Sequence, residues 1–409
     1  MKYWKSEVLG VKNSLNRLKD FILIMAIILQ DAGHFGFLPI TIFQILILFL
    51  CCLYLAEMLY KRKILFFDKK MTIILIYILL VTFINKFDFS TIKSVVYFLI
   101  QFFALYMYIG ETTVDRVKKV LYVSALILAI YGLVQFISYQ LDFKYLYDIT
   151  LYGFKTNGNY LMENRFHSLY AEPAHLCGIL SSGLYIGLEK NRNYAWYKTL
   201  IILVFALLTF STIVYFSLFL VFLLYLFKEK NFKKTIVTFS LLIIGIVSLC
   251  LFKPDFIKTS IYKIGSLVNP NSMKGEDTTG FAIISNFRVA HSKIKDGYYF
   301  GTGMYSHRFY YKFYIDKMYP VVKNYVNEVD AASIFIRIYS EFGIVGILYI
   351  FAYLLKYFIR YIKNKNYYGL FFILLFFIQG VRIGHYYNLL LMFSFIAVSY
   401  FFSDKKIEV

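Results

Sequence analysis

"LLTFSTIVYFSLFLVFLLY", residues 207–225, runs for nineteen positions without one charged side chain. It falls across two short predicted helices, 198–210 and 212–227, that meet at Ser211, each below the roughly 20 residues a bilayer's hydrocarbon core asks for. A helix apolar on every face has no side to give to water, so it belongs in a protein core or in lipid. Such runs recur to the C-terminus. Of 409 residues, 60% are hydrophobic and 21% aromatic, while 17% are charged, against about 25% in soluble domains. Alternating ten-residue strands, the mark of a membrane barrel, do not occur. The sequence therefore predicts an all-α, polytopic membrane protein with one membrane domain over 1–409.

The apolar runs predict about twelve transmembrane helices: 18–38, 40–60, 71–84, 92–110, 117–140, 171–188, 198–210, 212–227, 235–252, 334–356, 369–383 and 385–402. Two of them, 71–84 and 198–210, are short, and the first is interrupted by Gln30, Asp31, Gly33 and His34. Numbering the sides by parity puts 26 of the 44 Lys and Arg on the side of the termini. That is the positive-inside bias, with both termini cytoplasmic. The net charge of +20 is then topology and anionic lipid rather than nucleic acid. A cleaved signal peptide is not expected, because the first apolar run leads straight into another. Cys51, Cys52, Cys177 and Cys250 fall inside predicted spans with no metal-ligand spacing, so they read as packing residues.

Two segments of some size remain on the opposite, outer side, 141–170 and 253–333. The second holds "FAIISNFRVAHSKIKDGYY" (281–299) and "HRFYYKFYIDKMYPVV" (307–322). Their interleaved Tyr, Phe, Lys and Arg suit helices lying at the membrane interface.

Soluble-enzyme motifs are missing: no phosphate loop, no HExxH, no CxxC and no nucleophile elbow. Glu328 and Asp330 in "NEVD" are the nearest thing to an acidic metal pair and read better as solvated; no metal and no cofactor is expected. The conspicuous stretch is "ENRFHSLYAEPAHLCG" (163–178), which gathers Arg165, His167, Glu172 and His175 where ionisable groups are costly. Pro173 suits a first helical turn, and Glu172 before it suits the helix dipole, so a capped helix start is the plain reading. The functional reading adds Arg288. Two guanidinium groups on the outer face suit a diphosphate, since each offers a rigid fork of donors that does not titrate away. Glu172 or Asp330 could serve as base, with His167, His175, His291 and Lys295 available to bind substrate.

Three elements resemble the bacterial O-antigen and capsule polymerase family, which is related to the O-antigen ligases. They are "RFHSLYAEPAHLCGIL" (165–180), the Ser-containing break in 207–225, and "FRVAHSKIKDGYYFGTG" (287–303) followed by "IRIYSEFGIVGIL" (336–348). Their order covers most of the chain from 117 to 402. The resemblance implies a GT-C-like glycosyltransferase of the bacterial cytoplasmic membrane. It would polymerise undecaprenyl-diphosphate-linked oligosaccharides for capsule or lipopolysaccharide, through Arg165, Glu172 and Arg288, with a chain-length regulator as a candidate partner; backside attack would invert the anomeric centre, and the lack of a strong acidic motif predicts metal independence. A ligase-type His-Asn pair is replaced by Ala332 and Ser333, which favours a polymerase over a ligase. A flippase or other transporter is the remaining alternative.

Overall fold

The run at 207–225 is split in two. Phe210 takes a left-handed φ of 45°, and one helix stops at Leu208 while the next starts at Thr212. The structure, a computed structural model, describes residues 2–31, 41–62, 68–85, 88–148, 166–189, 196–228, 240, 278–319 and 327–400. Within these the helices are α1 (Lys2–Ile28), α2 (Ile42–Lys61), α3 (Lys69–Ile84), α4 (Phe89–Glu111), α5 (Val114–Gln140), the single turn α6 (Lys144–Tyr147), α7 (Cys177–Leu188), α8 (Trp196–Leu208), α9 (Thr212–Lys228), α10 (Thr278–Lys295), α11 (His307–Met318), α12 (Ile334–Lys363), α13 (Tyr367–Arg382) and α14 (Leu389–Tyr400). A 3-10 turn, Pro173–Leu176, leads into α7. The all-α class is as the sequence predicts.

The number of spans is not. Among the described residues, α2, α4, α5 and α12 are the four helices long and apolar enough to cross a membrane. The apolar helices at Pro173–Leu188, Trp196–Leu208, Thr212–Lys228, Tyr367–Arg382 and Leu389–Tyr400 are shorter, below the roughly 20 residues a bilayer asks for. This overturns the expected twelve spans and, with them, the GT-C-like architecture. The cause is local. The chain leaves the helix at Phe210 and at the extended Ile383, close to the predicted ends of 198–210 and 369–383, so these helices form where expected and fall short in length. The predicted span 235–252, residue 240 apart, and all of 253–277 lie outside the described residues. What stands is a multi-pass, membrane-associated helical protein.

Capping residues start several helices. Thr41 and Gln44 form a reciprocal capping box on α2, Asp88 accepts from the Thr91 N–H at the head of α4, and Thr113 caps α5; each satisfies donors a helix start leaves open. At one end of α1, α2, α4 and α5 the buried Lys19 bonds Glu57 and lies 3.2 Å from Glu111. Beside it Arg116 reaches Asp20 at 2.7 Å, and Tyr108 donates to the same carboxylate at 2.8 Å. These pairs tie four helices together where their charges could not face lipid unpaired.

On the other flank, α12 is broken by Gly343, with φ 67° and ψ −164°. A Cβ there would lie 2.0 Å from the Tyr299 carbonyl oxygen, so only glycine fits. The break frees the Glu341 carbonyl, which accepts from the Thr302 and Gly303 N–H groups at 2.9 and 2.8 Å. The turn between α10 and α11 is thereby stitched to α12.

Candidate functional site

The segment after α13, Ile383–Tyr387, is a partition between two cavities. On one side is a polar recess of about 190 Å³ lined by Gln30, Asp31, Tyr97, His175, His385 and Asn388. On the other is an almost wholly apolar cavity of about 300 Å³, bounded by Tyr77, Phe98, Met304, Phe342, Gly346 and Tyr386. His385 and Tyr387 line the first and Tyr386 the second.

Arg337 of α12 holds the partition in place. Its side chain is fully buried. Nη1 donates to the Gly384 carbonyl at 2.9 Å and Nε to Glu341 at 3.2 Å, while the guanidinium carbon sits 4.5 and 4.4 Å from the ring centres of Tyr305 and Tyr386. Glu341 also accepts from Tyr386 OH at 2.8 Å and from the His307 N–H at 3.3 Å. A buried arginine on an apolar helix is tolerable only with a partner charge, and Glu341 at i+4 supplies it. The third nitrogen, Nη2, is buried with no hydrogen-bond partner among the described residues, as are Gln30 Nε2 and Tyr97 OH beside the polar recess. Buried donors left open are rare and ask for a ligand or water.

Around the recess stand three further charge pairs. His175 Nδ1 lies 2.6 Å from Asp31 Oδ2, which also receives the Ala171 N–H at 3.4 Å. Arg382 bonds Glu172 at 3.1 Å. His385 Nε2 lies 3.5 Å from Asp330 Oδ2. Burial pushes the Asp31 carboxyl up, but His175, the Ala171 N–H and His385 together outweigh it and hold the carboxyl below its ordinary value. The His385 imidazole is held below its ordinary value by burial, with Arg337 and His175 adding to that and Asp330 and Asp31 opposing it. A neutral imidazole beside a carboxylate is a competent proton acceptor. The turn that delivers Asp330 is strained: Asn327, Ala331 and Ala332 have φ of 55°, 56° and 60°. Left-handed alanines cost of order 1–3 kcal/mol each and collect at functional sites.

Of the eight sequence-derived site residues, Glu172, His175 and Asp330 come together here. Glu172 does not cap the helix that follows: it makes no capping bond there and is turned to Arg382, against the capped-start reading. Arg165 lies outside the described residues. His167 belongs to the frame, its Nδ1 2.6 Å from the Tyr170 carbonyl, with burial holding its pKa down. Arg288 is on the exposed face of α10, donating to Tyr319 OH over that ring. His291 meets Tyr339 OH at 3.2 Å, and Lys295 is exposed. Arg288 and His291 thus bond outside the recess, which removes Arg288 as partner of a clamp there. The acidic pair is divided too, Glu328 facing Lys312 at 4.0 Å and Asp330 facing His385. Asp31, Arg337, Glu341, Arg382 and His385 were given no role by the sequence reading. A signal did exist for two of them. Arg337 and Glu341 stand four apart in an apolar run, and ionisable groups there are functional candidates by default.

No family model matches the chain, and no curated protein matches it. The polymerase expected from the resemblance rests on a twelve-span GT-C scaffold. With four spans of sufficient length among the described residues, that function is set aside, together with its capsule and lipopolysaccharide roles and its ligase and flippase alternatives.

Proposed function

We propose that the paired cavities receive an amphiphile with an anionic head, a lipid phosphate or diphosphate, and that the protein is a membrane-embedded transferase acting on it. The observation that carries this is the partition itself. Ile383, His385 and Tyr387 of one segment line the polar recess, Tyr386 lines the apolar cavity, and a buried arginine with an open Nη2 bonds Gly384 in the same segment. An apolar chain suits the side with Tyr386. The head group suits the side where Arg382, His175 and His385 gather, since arginine forks match phosphate oxygens. Arg382 would neutralise charge on a leaving phosphate while His385, backed by Asp330, accepts the proton of an attacking hydroxyl. Glycosyl transfer from a lipid phosphate carrier is the enzyme class we propose. The location we propose is the bacterial cytoplasmic membrane with both termini inside; the long apolar helices among the described residues support a membrane location.

Binding of dodecyl phosphate to protein purified in detergent tests this, with dodecanol as the uncharged control. Dodecyl phosphate should bind more tightly. Arg382→Gln should weaken it about ten-fold, equivalent to about 1.4 kcal/mol, and Arg288→Gln should leave it unchanged. Equal binding of the alcohol, or indifference to Arg382→Gln, would remove the reading.

A further inference from the structure

We propose that the outer face of α11, with the turn before it, is a membrane-surface anchor that seats in the headgroup–acyl boundary of the bilayer the chain itself crosses. The reasoning begins with periodicity. His307, Tyr311, Tyr314 and Ile315 bury one side of α11 against the protein. The opposite side carries Phe309 and Phe313, four residues apart and therefore one above the other. They are 55% and 63% exposed, and in the preceding turn Tyr299 and Phe300 are 53% and 65% exposed. Tyr298 packs edge-on against Tyr310, joining that turn to the helix. Large aromatic side chains gathered on one exposed face mark an interaction surface rather than ordinary scatter.

Depth identifies the partner. Met304 N donates to Thr82 Oγ1 at 3.0 Å, so the turn sits against the last residues of α3. The preceding Thr302 and Gly303 N–H groups are bonded to the Glu341 carbonyl, after which α12 runs uncharged from Phe342 to Leu355. Arg308 reaches Asp88 and Ser90 at the head of α4, itself long and apolar enough to span. All three ties place the face where apolar helix begins, at the level aromatic belts occupy. The surface is also continuous with exposed apolar side chains on those same helix ends, Phe83, Ile84 and Phe89.

Charge narrows the mode of seating. Arg308 is paired with Asp88 and Lys312 stands near Glu328, while Lys317 follows Asp316 in sequence. The face is electrically balanced, so aromatic insertion, not attraction to anionic lipid, holds it. The anchor does not rest on the transferase reading.

The test uses the full chain with Trp4 and Trp196 changed to Phe, carrying Phe309→Trp in one variant and Phe313→Trp in a second. Each is reconstituted into vesicles of phosphatidylcholine brominated near the top of the acyl chains. Membrane yield and melting behaviour certify folding, and either variant suffices. The expected result is bromine quenching with blue-shifted emission, the same at low and high salt and with or without phosphatidylglycerol. Water-like emission that acrylamide quenches and bromine does not would overturn the anchor. Quenching that needs phosphatidylglycerol and disappears in salt would overturn the aromatic mode of seating.

Discussion

Arg337 and Gly384 are joined by a 2.9 Å bond from guanidinium to carbonyl, and it fixes a non-helical segment to the middle of the protein. The same arginine is neutralised by Glu341 at 3.2 Å, both side chains being fully buried. Removing one partner of such a pair leaves the other charged and unsatisfied, at about 3–5 kcal/mol, whereas replacing both by apolar groups is often near neutral. Arg337→Met and Glu341→Leu should each lower the melting temperature in detergent sharply. The double variant should recover much of the loss. Simple addition of the two effects would mean that the pair is not coupled.

Gly343 offers a sharper structural test. Alanine would meet both a φ of 67° and a carbonyl oxygen 2.0 Å from its Cβ. Gly297, in the same neighbourhood with φ 95°, has nothing within 4 Å of the corresponding position. Strain alone costs about 1–2 kcal/mol. Gly297→Ala should therefore be tolerated, and Gly343→Ala should detach the turn at 297–303, read as faster proteolysis there. Equal proteolysis of the two variants would contradict the close approach.

How much of this was legible in the sequence follows from what periodicity can report. Apolar runs gave the helices and the membrane, because the hydrophobic pattern is local. They did not decide which helices cross a membrane, since apolar runs as short as 198–210 and 369–383 form helices below the roughly 20 residues a bilayer asks for. The stretch at 163–178 marks Glu172 and His175 as unusual for so apolar a chain. Their partners, Arg382 and Asp31, are distant in the chain and could not be paired with them from sequence spacing. Arg288 reads as a second guanidinium for a diphosphate, yet helical phase turns it outward, while Lys293, five positions on, is buried.

Lys293 makes a pH prediction. Its ammonium bonds Thr302 Oγ1 at 2.7 Å and Ser340 O and Oγ at 2.9 and 3.1 Å, with no carboxylate among these partners. Burial lowers its pKa to about 7, Glu341 opposing, from an ordinary value of about 10.4. Between those values the unfolded chain holds a proton that the folded chain has released, so this group makes stability rise with pH. Below about 7 both states are charged and the contribution is flat. His307, the other imidazole in the network, is held well below its ordinary value by burial, with Lys293 and Arg337 adding to that, so it stays neutral across this window. Melting temperatures of the wild type should climb from pH 7 toward pH 9 relative to Lys293→Met. Parallel curves for the two proteins would show that Lys293 keeps its proton.

Glu172 and Arg382 separate a structural pair from a ligand clamp. They are 3.1 Å apart and each only about one-fifth exposed, at 18% and 19%. If the pair merely fastens the start of α7 to the end of α13, its value is Coulombic and largely indifferent to direction. The charge-reversed double variant, Glu172→Arg with Arg382→Glu, would then restore both stability and ligand binding lost in the single variants. If Arg382 instead offers its fork to a phosphate, position matters, because the reversed pair puts a carboxylate where the anion must sit. Stability should return in the double variant while dodecyl phosphate binding stays at least ten-fold weaker, about 1.4 kcal/mol. Thermal melting and ligand titration on the same four proteins distinguish the cases, and full recovery of binding in the reversed pair would reduce Arg382 to a helix tie.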